Sequence, residues 1–292
     1  VPIVALKSKE QRVGGAANVA LNIQSLGAKP FVLSVTGDDD EADKLEKLFR
    51  SEMINGDYLL KSKARITTNK TRIISRNQQM MRLDAEITND LEMADEEKLI
   101  GSFERFVEKE MPHVVILEDY NKGVLTEAVI KTVISICKKA GIITAVDPKR
   151  KNFFEYRNVD LFKPNLKEVK EALNFLFIDP DLPLLQDIHR EIHNLLHHKI
   201  SLITLSEKGL FYQDGDESAI IPTHIRSIAD VSGAGDTVIA VAALVYTATK
   251  NIQLAAEISN IAGGLVCEEV GTVAIEKNRL LHECELLLGV GS

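Results

Sequence analysis

Asp230-Val231-Ser232-Gly233-Ala234-Gly235-Asp236-Thr237 is the segment from which the architecture of this chain can be worked out, and an apolar run at residues 238–246 follows it. Glycines ahead of an alanine- and valine-rich run predict a loop that enters the N-terminus of a helix. The first N–H groups of a helix have no intrahelical partners, and the helix dipole adds about half a positive charge there. The segment therefore predicts a site for a phosphate group.

The carboxylate of Asp236 falls inside this predicted anion site. A carboxylate would repel a phosphate that was only being held, so its position favours a different role. We interpret it as a base that takes a proton from a hydroxyl while backbone amides stabilise the charge on a phosphoryl group in transfer. A simpler alternative stays open for this segment alone, in which Asp236 complements the helix dipole and the glycines only turn the chain.

The composition is that of an ordinary globular protein, since 45% of the 292 residues are apolar and 27% are charged. No apolar run approaches the roughly 20 residues that a membrane span needs. A net charge of -8 argues against a surface that binds nucleic acid. Three scattered cysteines without metal-ligand spacing indicate reduced thiols and a cytoplasmic protein. The chain begins at Val1 without a methionine, before a strand-like run at residues 2–6, so we expect its natural N-terminus to lie upstream.

Short β runs alternate with helical runs along most of the chain. This rhythm predicts an α/β fold with a mainly parallel sheet that helices cover on both faces. Ligands bind at the carboxyl ends of the strands in such sheets. The polar residues that follow predicted strands are Asp119, Asp147, Asn165 with Glu168, Lys208 and Asp236. We therefore expect these side chains to line one edge of the sheet.

No repeat, linker or low-complexity stretch divides the chain, so we expect a single domain over residues 1–292. Two alternating runs, 65–75 and 79–84, predict a β-hairpin around a polar turn. The hairpin carries Arg72, Arg76 and Arg82. Together with the first strand it is expected to form a small β-lid over the ligand-binding edge, with elements near 1–14 and 56–84.

Three motifs occur in the order and at the spacing of the ribokinase-like (PfkB) carbohydrate kinases, and the sequence resembles that family over nearly its whole length. They are Gly14-Gly15-Ala16-Ala17-Asn18, Asn165-Leu166-Lys167-Glu168 and the segment that ends in Asp236. The resemblance implies a ribokinase-like three-layer α/β sandwich with a β-lid. It also implies a transfer of phosphate from ATP to a sugar with the help of Mg²⁺.

Further segments narrow the resemblance. Asp119-Tyr120-Asn121-Lys122-Gly123 and Asp147-Pro148-Lys149 resemble the family members that phosphorylate D-glycero-D-manno-heptose 7-phosphate at its anomeric hydroxyl, on the route to ADP-heptose and lipopolysaccharide. In some bacteria this kinase is fused to a nucleotidyltransferase, whose His-Xaa-Gly-His motif is absent from this sequence. Two alternatives stay open: a related kinase for fructose phosphate, ribose or a nucleoside, and a non-catalytic sensor of sugar or nucleotide with the same fold.

The resemblance also implies roles for individual residues. Asp236 would be the base on the sugar hydroxyl. The anion hole would be formed by the amides of Gly233, Ala234 and Gly235. Asn165 and Glu168 would organise Mg²⁺ through water, which suits a small cation that keeps most of its hydration shell. The residues that bind ATP would be Asn165, Ser206, Lys208, Gly209, Asn260 and Gly263. The residues for the sugar and its phosphate would be Gly14, Gly15, Asn18, Arg72, Arg76, Arg82, Asp119 and Lys149, with Lys163 as a further candidate.

Members of the family often dimerise through the β-lid, so the resemblance implies a homodimer. They also open on a strand with an aspartate that holds the sugar, and we expect that strand upstream of Val1. His189, His193 and His197 recur every four residues on one helix face, a spacing that can bind metal. Because no catalytic carboxylate motif accompanies these histidines, we expect a solvated stripe instead.

Overall fold

The computed structural model describes residues 5–75, 78–175, 180–224 and 226–289. Its strands, in chain order, are β1 (Phe31–Gly37), β2 (Asn55–Ser62), β3 (Asn69–Ser75), β4 (Gln78–Ala85), β5 (Val114–Glu118), β6 (Ile143–Asp147), β7 (Leu161–Phe162), β8 (Ile200–Thr204), β9 (Leu210–Asp214) and β10 (Glu217–Ile221). Its helices are α1 (Ala16–Ser25), α2 (Asp40–Ser51), α3 (Met93–Glu110), α4 (Glu127–Ala140), α5 (Leu166–Leu173), α6 (Leu182–Leu196), α7 (Ala234–Thr249), α8 (Ile252–Val266) and α9 (Lys277–Leu288). None of the helices in these ranges combines the length and the apolar character that crossing a membrane requires.

The central sheet has six strands in the order β10-β9-β8-β7-β6-β5. Strands β5 to β8 run parallel, and β9 and β10 are antiparallel additions at one edge. Parallel strands need long crossover connections, and helices supply them here: α4 lies between β5 and β6, and α5 and α6 lie between β7 and β8. This arrangement confirms the predicted α/β fold with a mainly parallel sheet.

Neighbouring residues of the central strands face opposite layers, because side chains alternate along a strand. On one face, Val146 and Phe162 pack in a core with residues of α3, α4 and α6. On the other face, Ala145 and Leu161 pack with residues of α7 and α8. Both faces of the parallel strands are therefore covered, and the structure has the predicted three layers.

Helix α7 is buried along most of its length, because its sequence contains no charged residue between Asp236 and Lys250. Helix α8 packs closely against it. A Cβ on Gly263 of α8 would lie 2.8 Å from Cγ2 of Val238 on α7, so glycine is needed at that crossing. The close contact fixes α7, and with it the loop from which α7 starts, against the sheet.

A separate hairpin is formed by β3 and β4, in the antiparallel arrangement that the sequence predicts. Strands β1 and β2 form a second, parallel pair outside the central sheet. Arg65, between β2 and β3, donates hydrogen bonds to the carbonyls of Ile87 at 3.1 Å and Asn89 at 3.0 Å, and to that of Lys122 in the loop after β5. The Arg65 guanidinium therefore joins both ends of the hairpin to the loop that follows β5.

Several elements differ from the expectation. Residues 5–14 form no strand, and the rest of the predicted opening strand lies outside the described residues, as does Arg76 in the hairpin turn. Strand β2 and helix α9 are not predicted by the patterns above. Strand β2 contains a glycine, an aspartate and a lysine among its eight residues, and only Ser62 is buried, so its alternation is weak.

The predicted solvated stripe of histidines on α6 is wrong for His189. Its buried side chain lies 2.8 Å from the hydroxyl of Ser201, and the buried ring of His198 lies 2.6 Å from the same hydroxyl. His193 and His197 are exposed, as expected. Burial, with a smaller effect from neighbouring histidines, lowers the pKa of His189 to about 4 and that of His198 to about 3. Both rings are therefore neutral near pH 7.

Candidate active site

Asp236 lies in the first turn of α7, directly after the loop that the sequence predicts. Gly233, which precedes the helix, has a φ of +83°, and a Cβ there would lie 3.0 Å from Nδ2 of Asn18, so glycine is needed. The Asp236 residue is only 7% exposed. One carboxylate oxygen accepts a hydrogen bond from Nδ2 of Asn18 at 2.7 Å, and the other accepts one from the hydroxyl of Tyr120 at 2.8 Å.

Asn22 holds α1 against the start of α7. Its side chain donates to the carbonyl of Asn18 at 2.9 Å and accepts from the hydroxyl of Thr237 at 3.1 Å. The same oxygen accepts from the N–H of Ile275 at 2.9 Å. These bonds explain how the early Gly-Gly motif and the late Asp236 segment, which are more than 200 residues apart, meet at one place, as the family resemblance implies.

The amides of Gly233, Ala234 and Gly235 lie at the N-terminus of α7, where a helix offers N–H groups to an anion. The N–H of Ala234 also donates to the carbonyl of Val231 at 3.3 Å. A Cβ on Gly235 would lie 3.8 Å both from a carboxylate oxygen of Asp147 and from Nζ of Lys163. The predicted anion hole is thus packed directly against a buried ion pair.

Three carboxylates converge beside this helix end. Oxygens of Glu118, Asp147 and Asp236 lie within 4.8 Å of one another, as expected for residues at the carboxyl ends of neighbouring strands and at the start of α7. Two lysines face them. Lys163, which is 2% exposed, lies 2.8 Å from one oxygen of Asp147, and Lys149 lies 3.2 Å from the other. The two ammonium groups offset the mutual repulsion of the carboxylates.

Burial raises the pKa of Asp236, whereas the hydrogen bonds from Asn18 and Tyr120 act in the opposite direction. The charge of Asp147 adds to the rise and that of Lys163 opposes it. A carboxylate with a raised pKa is a stronger base, and hydrogen-bond donors keep it in the ionised form that can accept a proton. The environment of Asp236 therefore suits the base that the sequence predicts.

The carboxylate of Glu118, unlike that of Asp236, has no hydrogen-bond donor beside it among the described residues. Its two carboxylate oxygens are shielded from solvent and have no hydrogen-bond partner among the residues that the structure describes. Burial, followed by the charges of Asp147 and Asp236, raises the pKa of Glu118 well above its usual value. The neutral form of Glu118 is favoured, because a second unpaired charge beside Asp236 would be costly.

Asn165 and Glu168 form a capping box at the start of α5. The Asn165 side chain accepts from the N–H of Glu168, and the Glu168 carboxylate accepts from the N–H of Asn165, both at 2.8 Å. The other oxygen of Glu168 accepts from Nζ of Lys149 at 2.6 Å. A carboxylate has about four lone-pair sites, so Glu168 can also accept from the water shell of a cation. The donor set fits a hydrated Mg²⁺, which binds through oxygen ligands and water.

Some of the predicted ATP-binding residues lie beside the end of β10. Ser206, Lys208 and Gly209 follow β8, with the first two in a short 3-10 turn. Gly209 has a φ of +97°, and a Cβ there would lie 2.0 Å from the carbonyl oxygen of Ile221. On the other side, the amide of Asn260 in α8 donates to the carbonyl of Pro222 at 2.9 Å. The turn after β8 and helix α8 are thus neighbours, as a shared nucleotide site requires.

The predicted sugar-binding residues differ in accessibility. A Cβ on Gly14 would meet no atom within 4 Å, whereas one on Gly15 would lie 3.7 Å from the ring of Tyr120. Asp119 is buried, and it accepts hydrogen bonds from the hydroxyl of Tyr156 at 2.7 Å and from a backbone N–H two residues on. Asp119 therefore stabilises the loop after β5, and its contact with a sugar stays a prediction.

Two of the predicted phosphate-binding arginines lie side by side. Arg72 on β3 pairs directly with Arg82 on β4, so both side chains project from the same face of the hairpin. Both are exposed, and Arg82 also contacts Asp84 at 2.9 Å. Like charges in this position repel each other, and an anion between them would remove the repulsion. Arg76 lies outside the described residues.

The motifs miss two residues of this site. Tyr120 lies in the polar cluster after β5, but a tyrosine in a loop has no fixed chemical role, so only its contact with Asp236 identifies it. Glu118 lies at the end of an apolar strand, and this position was its only signal in the sequence. Lys163, the further candidate for the sugar's phosphate, lies beside the helix N-terminus, where its ammonium bonds Asp147, and its contact with a phosphate stays a prediction.

Comparisons with known proteins agree with this geometry. Residues 2–278 match the family described as pfkB family carbohydrate kinase. Two curated proteins, each named Bifunctional protein HldE, resemble the chain: that of Helicobacter acinonychis is 38% identical over 288 residues, and that of Sulfurimonas denitrificans is 36% identical over 276 residues. These matches cover 99% and 94% of this chain, but the chain spans only 60% and 57% of the relatives' own lengths.

A solved structure shows the same fold. Phosphofructokinase-2 from Escherichia coli, in complex with substrates and products, superposes with a TM-score of 0.78 over 98% of this chain and 94% of that chain. The sequence identity of the pair is 18%, so the likeness concerns the fold alone.

Proposed function

Because the chain belongs to the PfkB family of carbohydrate kinases, we propose that it transfers the γ-phosphoryl group of ATP to the anomeric hydroxyl of D-glycero-D-manno-heptose 7-phosphate. The family and its ribokinase-like fold are those that the sequence motifs predict. The observation that carries the proposal is the position of Asp236, a buried carboxylate at the N-terminus of α7 with Asn18 of the Gly-Gly motif bonded to it.

In the proposed reaction, Asp236 takes the proton of the sugar hydroxyl while the hydroxyl oxygen attacks the γ-phosphorus of ATP. The bond from that phosphorus to the bridging oxygen breaks, and ADP leaves. The transition state is loose, so positioning and charge neutralisation supply most of the rate enhancement. The amides at the start of α7 and the ammonium of Lys163, next to Gly235, stand where they can stabilise the charge on the transferred group.

ATP is the proposed phosphate donor and Mg²⁺ the proposed cofactor. ATP would lie between the turn after β8 and helix α8, with its terminal phosphate at the N-terminus of α7. Glu168 and Asn165 would hold the water shell of Mg²⁺ from the start of α5. The ion, when bound, neutralises charge on the nucleotide phosphates.

The Arg72 and Arg82 pair supports a sugar that carries a second phosphate. Two adjacent guanidinium groups on an exposed hairpin face can form several charge-assisted hydrogen bonds to one phosphate group. A substrate such as ribose or adenosine would leave these groups without an anion. The proposal therefore favours a sugar phosphate over a neutral sugar.

A homodimer through the hairpin is part of the proposal. The hairpin exposes several apolar side chains, namely Ile74, Met80, Met81 and Leu83. An exposed apolar strand pair is a common site of association between subunits. We propose that a second copy of the chain covers this surface.

The experiment is a comparison of kcat/KM on heptose 7-phosphate, fructose 6-phosphate, ribose and adenosine, with ATP and Mg²⁺. Heptose 7-phosphate is expected to give the highest value. Asp236→Asn is expected to keep the affinity for an ATP analogue and to lose roughly 100-fold to 10,000-fold in kcat, because it removes the base. Asp216→Asn, in the exposed turn between β9 and β10, is the control.

Each outcome of this comparison separates the candidates. Preference for fructose phosphate, ribose or adenosine would assign that substrate instead. Tight ATP binding without turnover on any of the four acceptors would favour a sensor. An Asp236→Asn variant with kcat within about tenfold of the parent would contradict the assignment of the base.

A further inference from the structure

Tyr120 joins the three parts of the candidate site. Its ring lies against Gly15, where a Cβ would approach it to 3.7 Å, and its hydroxyl reaches the carboxylate of Asp236 at 2.8 Å. Tyr120 itself belongs to the loop after β5. Asp119 stabilises this loop by accepting hydrogen bonds from the hydroxyl of Tyr156 and from a backbone N–H. The phenol is thus held at both ends, at the ring and at the hydroxyl.

Each oxygen of the Asp236 carboxylate accepts one hydrogen bond. Asn18 donates to Oδ2 at 2.7 Å, and Tyr120 donates to Oδ1 at 2.8 Å. With one donor on each oxygen the carboxylate plane cannot rotate without breaking a charge-assisted hydrogen bond. Each oxygen keeps one lone-pair position, so a sugar hydroxyl can still approach.

We propose that Tyr120 is a positioning residue for Asp236, whose hydroxyl orients the carboxylate and holds it in the ionised form from which it accepts a proton. The inference deepens the proposed function and rests on it, since it concerns the same base. Tyr120 acts through Asp236 and need not touch the sugar.

The charged groups around Asp236 make this donor important. Two carboxyl groups face Asp236, that of Glu118 from β5 and that of Asp147 from β6. The ammonium of Lys163, which follows β7, faces Asp236 with a positive charge. Asn18 from α1 is the other neutral donor. Burial and the carboxylates favour the protonated, inactive form of Asp236, so loss of a donor moves the balance further in that direction.

Tyr120 remains a donor throughout the working pH range. The Tyr120 residue is 38% exposed, but desolvation of its side chain against Asp236 raises its pKa, and the charges of Asp236 and Glu118 raise it further. The phenol therefore keeps its proton while Asp236 titrates. A residue that titrated together with Asp236 would not serve as a stable donor.

The test compares Tyr120→Phe with Tyr156→Phe in the full chain labelled with ¹³C at the aspartate carboxyl carbons. Each variant removes one hydroxyl from a ring that keeps its packing, but Tyr156 donates to Asp119 rather than to Asp236. The Asp236 resonance is identified by its loss in Asp236→Asn. Tyr120→Phe is expected to raise the titration midpoint of Asp236 by about one pH unit, a tenfold change in proton affinity. Tyr156→Phe is expected to leave that midpoint in place.

Kinetics give a second readout. In Tyr120→Phe the acid limb of the kcat/KM profile should move up by the same amount, and kcat should recover toward that of the parent at higher pH. An unchanged Asp236 midpoint in Tyr120→Phe, or an equal shift in Tyr156→Phe, would overturn the inference. A shifted midpoint in a chain without kinase activity would keep the positioning role and reject only the proposed function.

Discussion

Lys163 shows how one side chain makes the candidate site possible. It is among the largest fully buried side chains of the structure, and its ammonium bonds the carboxylate of Asp147 at 2.8 Å. Without this positive charge, Lys149 would be left alone of the two ammonium groups that face Glu118, Asp147 and Asp236. Removing one member of a buried ion pair leaves the other charge uncompensated, which is far more costly than losing an exposed pair.

We predict that Lys163→Met lowers the free energy of unfolding by about 3 to 5 kcal/mol, because it leaves Asp147 buried with one fewer counter-charge. Urea unfolding of the full chain measures this change. Lys199→Met is the control, since Lys199 is 55% exposed and lies 3.9 Å from Asp214. That variant should change the value by no more than about 1 kcal/mol. Equal losses in the two variants would mean that the buried pair has no special role.

At the residue scale, the sequence predicts the groups with a fixed chemistry and misses those defined by their neighbours. Asp236 stands in a glycine-rich segment whose purpose can be argued from a helix terminus, whereas the role of Asn18 rests on the family resemblance, and the two side chains are found 2.7 Å apart. Tyr120 gives no comparable signal, because its role depends on where the loop after β5 places the hydroxyl. Asp119, a predicted sugar ligand, also accepts internal hydrogen bonds, which no pattern in the sequence indicates.

At the element scale, segments with strong hydrophobic periodicity are predicted correctly as helices or strands, and segments with weak periodicity are not. The helices α3 and α4 and the strands β5 and β6 belong to the alternating β and helical runs that the sequence predicts. The sequence does not predict strand β2 individually, because its polar and apolar residues hardly alternate. The pairing of β1 with β2 outside the central sheet depends on contacts between distant parts of the chain, so local patterns cannot reveal it.

Helix α6 carries a prediction about acid stability. The folded pKa of His189, about 4, lies below the usual 6.5, so folding favours the neutral ring. The unfolded chain therefore binds a proton first as the pH falls. The contribution of His189 is complete above pH 6.5 and is lost between pH 6.5 and about 4, at roughly 1.4 kcal/mol per pH unit.

Urea unfolding at pH 7, 6 and 5 checks this prediction. His189→Gln should reduce the slope of unfolding free energy against pH by up to about one proton relative to the parent. His113→Gln, at an exposed position before β5, should leave the slope unchanged. If the slope of unfolding free energy against pH is the same in the parent and in His189→Gln, the buried ring does not resist protonation.

At the scale of the whole molecule, the exposed hairpin predicts the state of assembly. Met81 and Leu83 are 52% and 53% exposed on β4, although large apolar side chains normally lie inside a protein. We predict that the chain is a dimer in sedimentation equilibrium, and that the double variant Met81→Glu with Leu83→Glu is a monomer, because charges at the contact oppose association.

The matched control for assembly is Met53→Glu with Met111→Glu. These methionines are 72% and 75% exposed but lie outside the hairpin, so the control should stay dimeric. A parent chain that sediments as a monomer at all concentrations would contradict the proposed contact. Dissociation by the control variant would place the contact elsewhere on the surface.

The crowding of carboxyl groups around Asp236 has an evolutionary consequence. The carboxylate oxygens of Glu118 are shielded from solvent without a hydrogen-bond partner among the described residues, beside two other acids. Substitutions that replace such a carboxyl group by an apolar side chain tend to make a protein more durable, while keeping the group preserves the polar surroundings on which turnover depends. Selection for stability and selection for turnover therefore favour different residues at position 118. Variants at this position that gain thermal stability should have a lower kcat.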